Sequence, residues 1–361
     1  MLKKKFSLII TITGIILSFF LVAEGFFQSN DESSYRPRRG GVLRIKSISD
    51  EFRQQLDPVQ PGAYIFISEQ IFDGLVRLDK KLNIVPELSD YWTISNDGKI
   101  YTFYLRKGIP FYNHREVLAS DVKFSLERIL APETDSPFFQ YFLSRVEGAA
   151  EFREGKDTEV RGFKVLDKHI FQIEWTKPYV SALYLLSMPF CKILPADMVE
   201  KQGKNFFYKP TGTGPFYFDS WVRDTRLNIV GVRLKRNDDY FLGAPYLDTI
   251  EFCPLFTLDH FLNGQIDLIP VVSEKLLDGN FQVYVDGSIQ TFFLGMSCHI
   301  PPFDREEVRR AILHGIDKQQ LIEAVAESRY VRKPVNSFIP SRLPGFYPTN
   351  EDAVFNLDRA V

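Results

Sequence analysis

The chain is poor in the residue types from which most catalytic and metal sites are made. Its 361 residues include three cysteines and five histidines. Cys191, Cys253 and Cys298 stand far apart, in no CxxC or zinc-ligand spacing, and read as small apolar core residues. His114, His169, His260, His299 and His314 form no HExxH pair, and no GxSxG elbow is present. Gly155-Lys156 lacks both the earlier glycine and the following Ser/Thr of a phosphate loop. No pair of carboxylates is singled out for acid–base work. The sequence therefore supports no enzyme activity, metal or cofactor. Excess positive charge is also missing: 44 Lys+Arg stand against 46 Asp+Glu, a formal charge of −2. That argues against a nucleic-acid partner.

What is present is apolar and aromatic. Hydrophobic residues make up 45% of the chain, with 33 Phe and 16 Tyr, enough for two or more packed lobes. Most of these aromatics read as core; some are candidates to line a cleft. Lys3-Lys4-Lys5 precedes an uncharged run from Phe6 to Ala23, and Ala23-Glu24-Gly25 offers small residues for cleavage. Residues 1–25 read as an export signal. The run also reaches the length of a membrane span, so an uncleaved anchor over residues 6–23 is the alternative. An odd cysteine count in an exported chain leaves at least one thiol free or paired between chains. Residues 26–40 are polar and breaker-rich, a flexible lead-in.

The most informative stretch is PELSDYWTISNDGKIYTFYLRKGIPFYNHREVLASDVKFSLERIL, Pro86 to Leu130. Asn96-Asp97-Gly98 signals a hairpin, because glycine accepts the positive φ of such turns. Tyr101, Phe103 and Leu105 alternate with polar neighbours as in a half-buried strand. Ser120 is placed to cap a helix whose Val122, Leu126, Ile129 and Leu130 share a face, and Pro132 ends it. Further along, Arg161–Trp175 reads as two strands about Leu166-Asp167-Lys168, and Pro178–Leu186 as a helix. Two helices near the end carry capping boxes, Asp304 with Glu307 and Asp317 with Gln320. Their stripes, Val308/Ala311/Ile312 and Leu321/Ala324/Val325, read as core.

The wording of this stretch resembles the signature of the family 5 extracellular solute-binding proteins, the oligopeptide, dipeptide and nickel receptors of ABC importers. Pro86, Leu88, Trp92, Asp97, Gly98, Tyr101, Thr102, Phe103, Leu105, Arg106, Gly108, Phe111, Asp121, Val122, Phe124, Ser125 and Arg128 all fill fixed positions of that pattern. A second block, PTGTGPFYFDSW followed by LKRNDDYFLGAPYLDTIEF, resembles the family again. Its Gly212-Thr213-Gly214 is no dinucleotide fingerprint, since Tyr217 stands where a third glycine belongs; it suits a tight backbone pass between lobes. Leu56-Asp57-Pro58, Phe72-Asp73-Gly74-Leu75, Gly264-Gln265-Ile266-Asp267 and the run from Pro302 to Ile312 are similar to further family elements. Ser297 departs from the pattern, replacing an Asn.

The resemblance spans about residues 41–360. It implies an α/β fold of the type II periplasmic-binding-protein kind, multi-lobed with mixed sheets and a hinged cleft. The expected division is lobe I over 41–75 and 196–288, lobe II over 76–195, and an incomplete lobe III over 289–361. In the peptide-binding branch the missing part also holds the acidic partner of the ligand's amino terminus. The resemblance further implies capture of a short peptide by lobe closure, delivery to ABC permease subunits, and a periplasmic location. Membrane contact would come through the permease or an uncleaved N-terminal segment. Implied ligand residues are Gly62, Ala63, Tyr64 and Ile65 after the LDP turn, Phe138 after Ser136-Pro137, Pro270 and Val271, and Phe293. Nickel chelate, haem or a small sugar are alternative ligands within the family; a non-binding remnant with an interaction role is the alternative outside it.

Overall fold

The structure is a computed structural model that describes residues 38–46, 55–60, 65–253, 255–269 and 293–325, with 337, 339, 343, 345–347 and 355–360. The chain runs from strand β1 (Val42–Ile45) to helix α1 (Ile65–Ile71), then the short pair β2 (Val76–Leu78) and β3 (Ile84–Pro86). Strands β4 (Ser89–Ile94) and β5 (Ile100–Leu105) lead into helix α2 (Ala119–Leu130). Strands β6 (Phe163–Asp167) and β7 (Ile170–Glu174) precede helix α3 (Ala196–Gln202). Strands β8 (Phe216–Arg223), β9 (Ile229–Arg236) and β10 (Thr249–Phe252) follow, and later α4 (Glu306–Gly315) and α5 (Lys318–Val325).

Two sheets organise these elements. One is antiparallel, ordered β4-β5-β7-β6; the other is mixed, ordered β1-β10-β9-β8, with β1 parallel to β10 across some 200 residues of chain. The β4–β5 turn forms as its residues require. Gly98 takes φ +68°, its N–H donates to the Ser95 carbonyl at 2.8 Å, and the Ser95 hydroxyl accepts the Ile100 N–H at 2.9 Å. Along β5, Tyr101, Phe103 and Leu105 are buried while their neighbours are not. They pack on Val122, Leu126, Ile129 and Leu130 of α2 in a first core, which draws on residues 59–193. A second core joins Leu56, Ile67, Ile71 and Phe72 to Leu194, Val199, Phe206, Phe207 and the inner face of β8–β10.

Several local expectations are corrected. The cap of α2 is not Ser120. The backbone is still extended at Leu118, so the helix starts at Ala119, and the Asp121 carboxylate accepts the Leu118 N–H at 2.9 Å. Pro132 does end this helix, by forcing Ala131 to extended φ/ψ. The helix expected over 178–186 is confined to Ala182–Leu186. The turn between β6 and β7 sits at Lys168-His169, a residue beyond the expected place. In α4 the N-cap is Arg305 with no side-chain cap, because the chain turns one residue after Asp304. Asp317 does cap α5, accepting the Gln319 and Gln320 N–H groups at 2.9 and 3.1 Å.

The terminal stripes are not core. Val308, Ala311 and Ile312 are half-exposed, and Leu321 and Ala324 are exposed. Among the described residues, the element α4 packs on most is the short turn Leu357–Arg359, which leaves much of its face uncovered. Cys191 and Cys253 are buried thiols, but Cys298 is exposed, contrary to the core reading.

Candidate ligand cleft and the seam between the cores

The LDP turn is fastened to the first core at three points. The Asp57 carboxylate is gripped end-on by the Arg128 guanidinium of α2, with Nη1 donating to Oδ1 at 2.9 Å, and both side chains are nearly buried. The guanidinium also lies 4.5 Å above the Phe207 ring. Next, the Ser136 hydroxyl donates to the Val59 carbonyl at 2.9 Å. Last, Gln60 Nε2 donates to the Thr134 carbonyl, also at 2.9 Å. Charge-assisted, forked geometry of the Asp57–Arg128 kind sets direction as well as strength. The chain therefore leaves Gln60 toward residues 61–64 from a fixed point beside the Ser136-Pro137-Phe138 loop.

Phe138 is half-buried on that loop. Its N–H donates to Ser136 Oγ at 3.3 Å, and its ring stacks on Phe190 with centroids 4.3 Å apart. Tyr141 also stacks on Phe190, at 5.7 Å. The loop thus presents a small aromatic platform with Tyr141 well exposed.

A second junction lies where the chain crosses between the cores. Gly214 N–H donates to the Ile71 carbonyl and Tyr112 N–H to the Gly212 carbonyl, both at 2.8 Å. A Cβ on Gly212 or Gly214 would strike the carbonyl oxygens at the end of α1, so this pass requires glycine. Between them, Thr213 Oγ1 donates to Asp73 Oδ2 at 2.7 Å, and Tyr240 donates to Asp73 Oδ1 at 2.9 Å. Glu87 Oε2 accepts the Gly74 N–H at 2.6 Å and lies 3.6 Å from Lys192 Nζ. Burial pushes the Glu87 carboxyl up to about 7 against the pull of Lys192, and burial raises Asp73 as well. A cavity of about 230 Å³ opens beside this pass, lined by Tyr112, Thr213, Asn237 and Phe241 among others. A larger depression of about 540 Å³ lies elsewhere, on the outer face of β4-β5-β7 around Tyr91 and Tyr104. It shares no residue with the LDP turn or the Phe138 loop.

Of the residues expected at the ligand, Gly62, Ala63, Tyr64, Pro270 and Val271 lie outside the described residues. Ile65 opens α1. Phe138 stands next to the LDP turn as described. Phe293 is exposed, at 67%. Among the described residues, no group of three His, Cys, Asp or Glu is arranged to hold a metal. Sequence reading passed over Arg128 and Asp73 as partners, although both sit in motifs it quoted. A charged residue inside an otherwise apolar helix face or turn was the available signal.

Two cores joined by crossings, one antiparallel and one mixed sheet, and a fastened entry turn define the multi-lobed architecture of periplasmic binding proteins. The chain belongs to family 5 of the bacterial extracellular solute-binding proteins, whose sequence profile matches residues 83–361. It is 29% identical over 284 residues to di/tripeptide-binding protein 1 of Pseudomonas aeruginosa, covering 72% of this chain and 50% of the relative. It is also 29% identical to heme-binding protein A of Haemophilus influenzae, over 74% of this chain and 51% of that protein. Among solved structures, the periplasmic binding protein DppA of Helicobacter pylori, in complex with the peptide STSA, is similar. It shows a TM-score of 0.68 at 28% identity, covering 90% of this chain and 65% of that one. The oligopeptide-binding protein OppAIV of Borrelia burgdorferi gives 0.66 at 27%, covering 80% and 59%. The chain spans about half the length of the curated relatives it matches.

Proposed function

We propose that the chain serves as the solute-binding component of an ABC importer, capturing short peptides by lobe closure and passing them to membrane permease subunits. Support comes from family membership, from relatives named for di- and tripeptides, and from a similar periplasmic binding protein solved in complex with the peptide STSA. The observation that carries the reading is the fastening of the LDP turn to the Phe138 loop. It holds Gln60, the last described residue before the expected ligand stretch Gly62, Ala63, Tyr64 and Ile65, beside an aromatic platform; main-chain hydrogen bonds from that stretch would suit an extended peptide. Water in the side-chain pockets then makes peptide sequence matter little. Phe138, Pro270, Val271 and Phe293 complete the proposed contacts. The lobes proposed to close are I over 41–75 and 196–288, II over 76–195, and III over 289–361, with closure about the crossings.

Such a receptor works outside the cytoplasmic membrane, with residues 1–25 directing export. Among the described residues, no helix is long and apolar enough to cross a membrane. The carrier of a ligand leaves it chemically unchanged, so no turnover is expected. The test is calorimetric titration of the protein with mixed di-, tri- and longer peptides, alongside haem. Saturable heat with peptides alone supports the reading. Saturable heat with haem alone transfers the protein to the second ligand class, which the relative named for haem favours.

A further inference from the structure

The junction between the cores buries more carboxyl groups than cations. Glu69 on α1, Asp73 just after it and Glu87 after β3 all lie in the field of Lys192 on the return crossing, and Glu87 also in that of Arg77 on β2. Cys191 adjoins Lys192 and is held as a neutral thiol by burial. Arg77 Nε is buried with no hydrogen-bond partner among the described residues; among them its guanidinium forms no ion pair with Asp73 or Glu87, although its charge pulls the Glu87 carboxyl down. Asp73 and Glu87 are 1% and 4% exposed, and they meet at Gly74, which follows Asp73 in the chain and whose N–H Glu87 accepts. Two ionised carboxylates this deep, with one ammonium in ion-pair reach among the described residues, would leave a buried negative charge uncompensated; one proton on the pair removes it.

We propose that Asp73 and Glu87 hold a single proton between them and that this shared proton fastens the seam between the two cores. The partners locate it. Both oxygens of Asp73 are acceptors, from Thr213 and Tyr240, while Glu87 Oε2 accepts the Gly74 N–H. Glu87 Oε1 is the one oxygen of the four with no hydrogen-bond donor among the described residues, so the hydrogen belongs there. Four chain passes converge here: Phe72–Leu75, Pro86–Leu88, Lys192–Leu194 and Gly212–Gly214. Loss of the proton puts a second negative charge into the seam, with Lys192 the nearest cation. The pair thus acts as a built-in latch that loosens as the surroundings turn alkaline. This goes beyond ligand capture and holds whatever the ligand is.

The experiment needs no ligand. The infrared C=O stretch of a protonated carboxyl group is followed in the unmodified protein from about pH 5 to about pH 9. A protonated band present at the acid end that titrates away near neutrality is expected, and it is lost in Glu87→Gln at every pH. In Glu69→Gln and Glu127→Gln, which remove the other carboxyls raised by burial, the band survives. Thermal unfolding gives a second readout. A carboxyl raised in the folded state stabilises fully below its unfolded value, and that contribution is lost as pH climbs to the folded value. Glu87→Gln keeps a permanent donor, so its melting temperature gains on that of the unmodified protein between about pH 5 and about pH 8. Absence of the band in the unmodified protein overturns the proposal, as does a band that disappears in Glu69→Gln or Glu127→Gln instead.

Discussion

Asp57 and Arg128 meet across 71 positions of sequence, nearly out of water, in a forked ion pair that bolts the entry turn to helix α2. Removing one member leaves the other charge buried and uncompensated. Arg128→Met therefore costs on the order of 3–5 kcal/mol of folding stability. Arg128→Lys keeps the charge but gives up the fork and falls between the two. Denaturant melts of the three proteins check this; equal midpoints for Arg128→Met and the parent contradict it.

The glycine pass makes a steric prediction. Gly212→Ala drives a methyl group into the Ile71 carbonyl and the Phe72 ring, both held in the second core. Overpacking of this kind costs about 1–3 kcal/mol. Among the described residues, Gly295→Ala has only the Phe293 ring nearby, and it stays within about 0.5 kcal/mol of the parent. A thermal melt in which Gly212→Ala matches Gly295→Ala removes the close pass from the account.

Acid sensitivity has a local source in the first turn of α3. Burial alone would raise Asp197, yet its bonds to His114 and Arg115 outweigh burial and hold it below its ordinary value of 3.8. A depressed carboxylate contributes stability above its unfolded value and loses it as pH falls through the folded one. Asp197→Asn is therefore less stable than the parent near neutrality, and the gap closes as pH drops below 3.8. A gap that stays constant across an acid titration refutes this assignment.

Phe138 separates binding from folding. Its ring is half-buried against Phe190, so Phe138→Ala loses about 0.5–1.5 kcal/mol of stacking. Phe138→Leu retains apolar bulk without the ring face. Peptide affinity is expected to fall in both variants, by more than the small shift in melting temperature accounts for. Unchanged affinity in both places Phe138 outside the cleft.

Much of this architecture is written locally. The alternation of Tyr101, Phe103 and Leu105 and the glycine at 98 dictate a hairpin whatever surrounds them. Gly212 and Gly214 flanking a threonine announce a tight pass. The misread features depend on partners remote in sequence. Ser120 looked like the cap because Asp121's role needs the extended backbone at Leu118. Asp73, Glu87, Lys192 and Thr213 assemble from four separated segments, and no local pattern brings them together. The stripes of α4 and α5 show that a face is fit for burial, which is not the same as the described chain supplying its cover.

Backbone amide hydrogen exchange, with and without a saturating mixture of di- and tripeptides, tests the central claim most directly. The account predicts peptide-dependent slowing at residues 61–65 and 136–138, with the seam around Asp73 already protected before ligand is added. Peptides that leave both segments exchanging at their ligand-free rates contradict it.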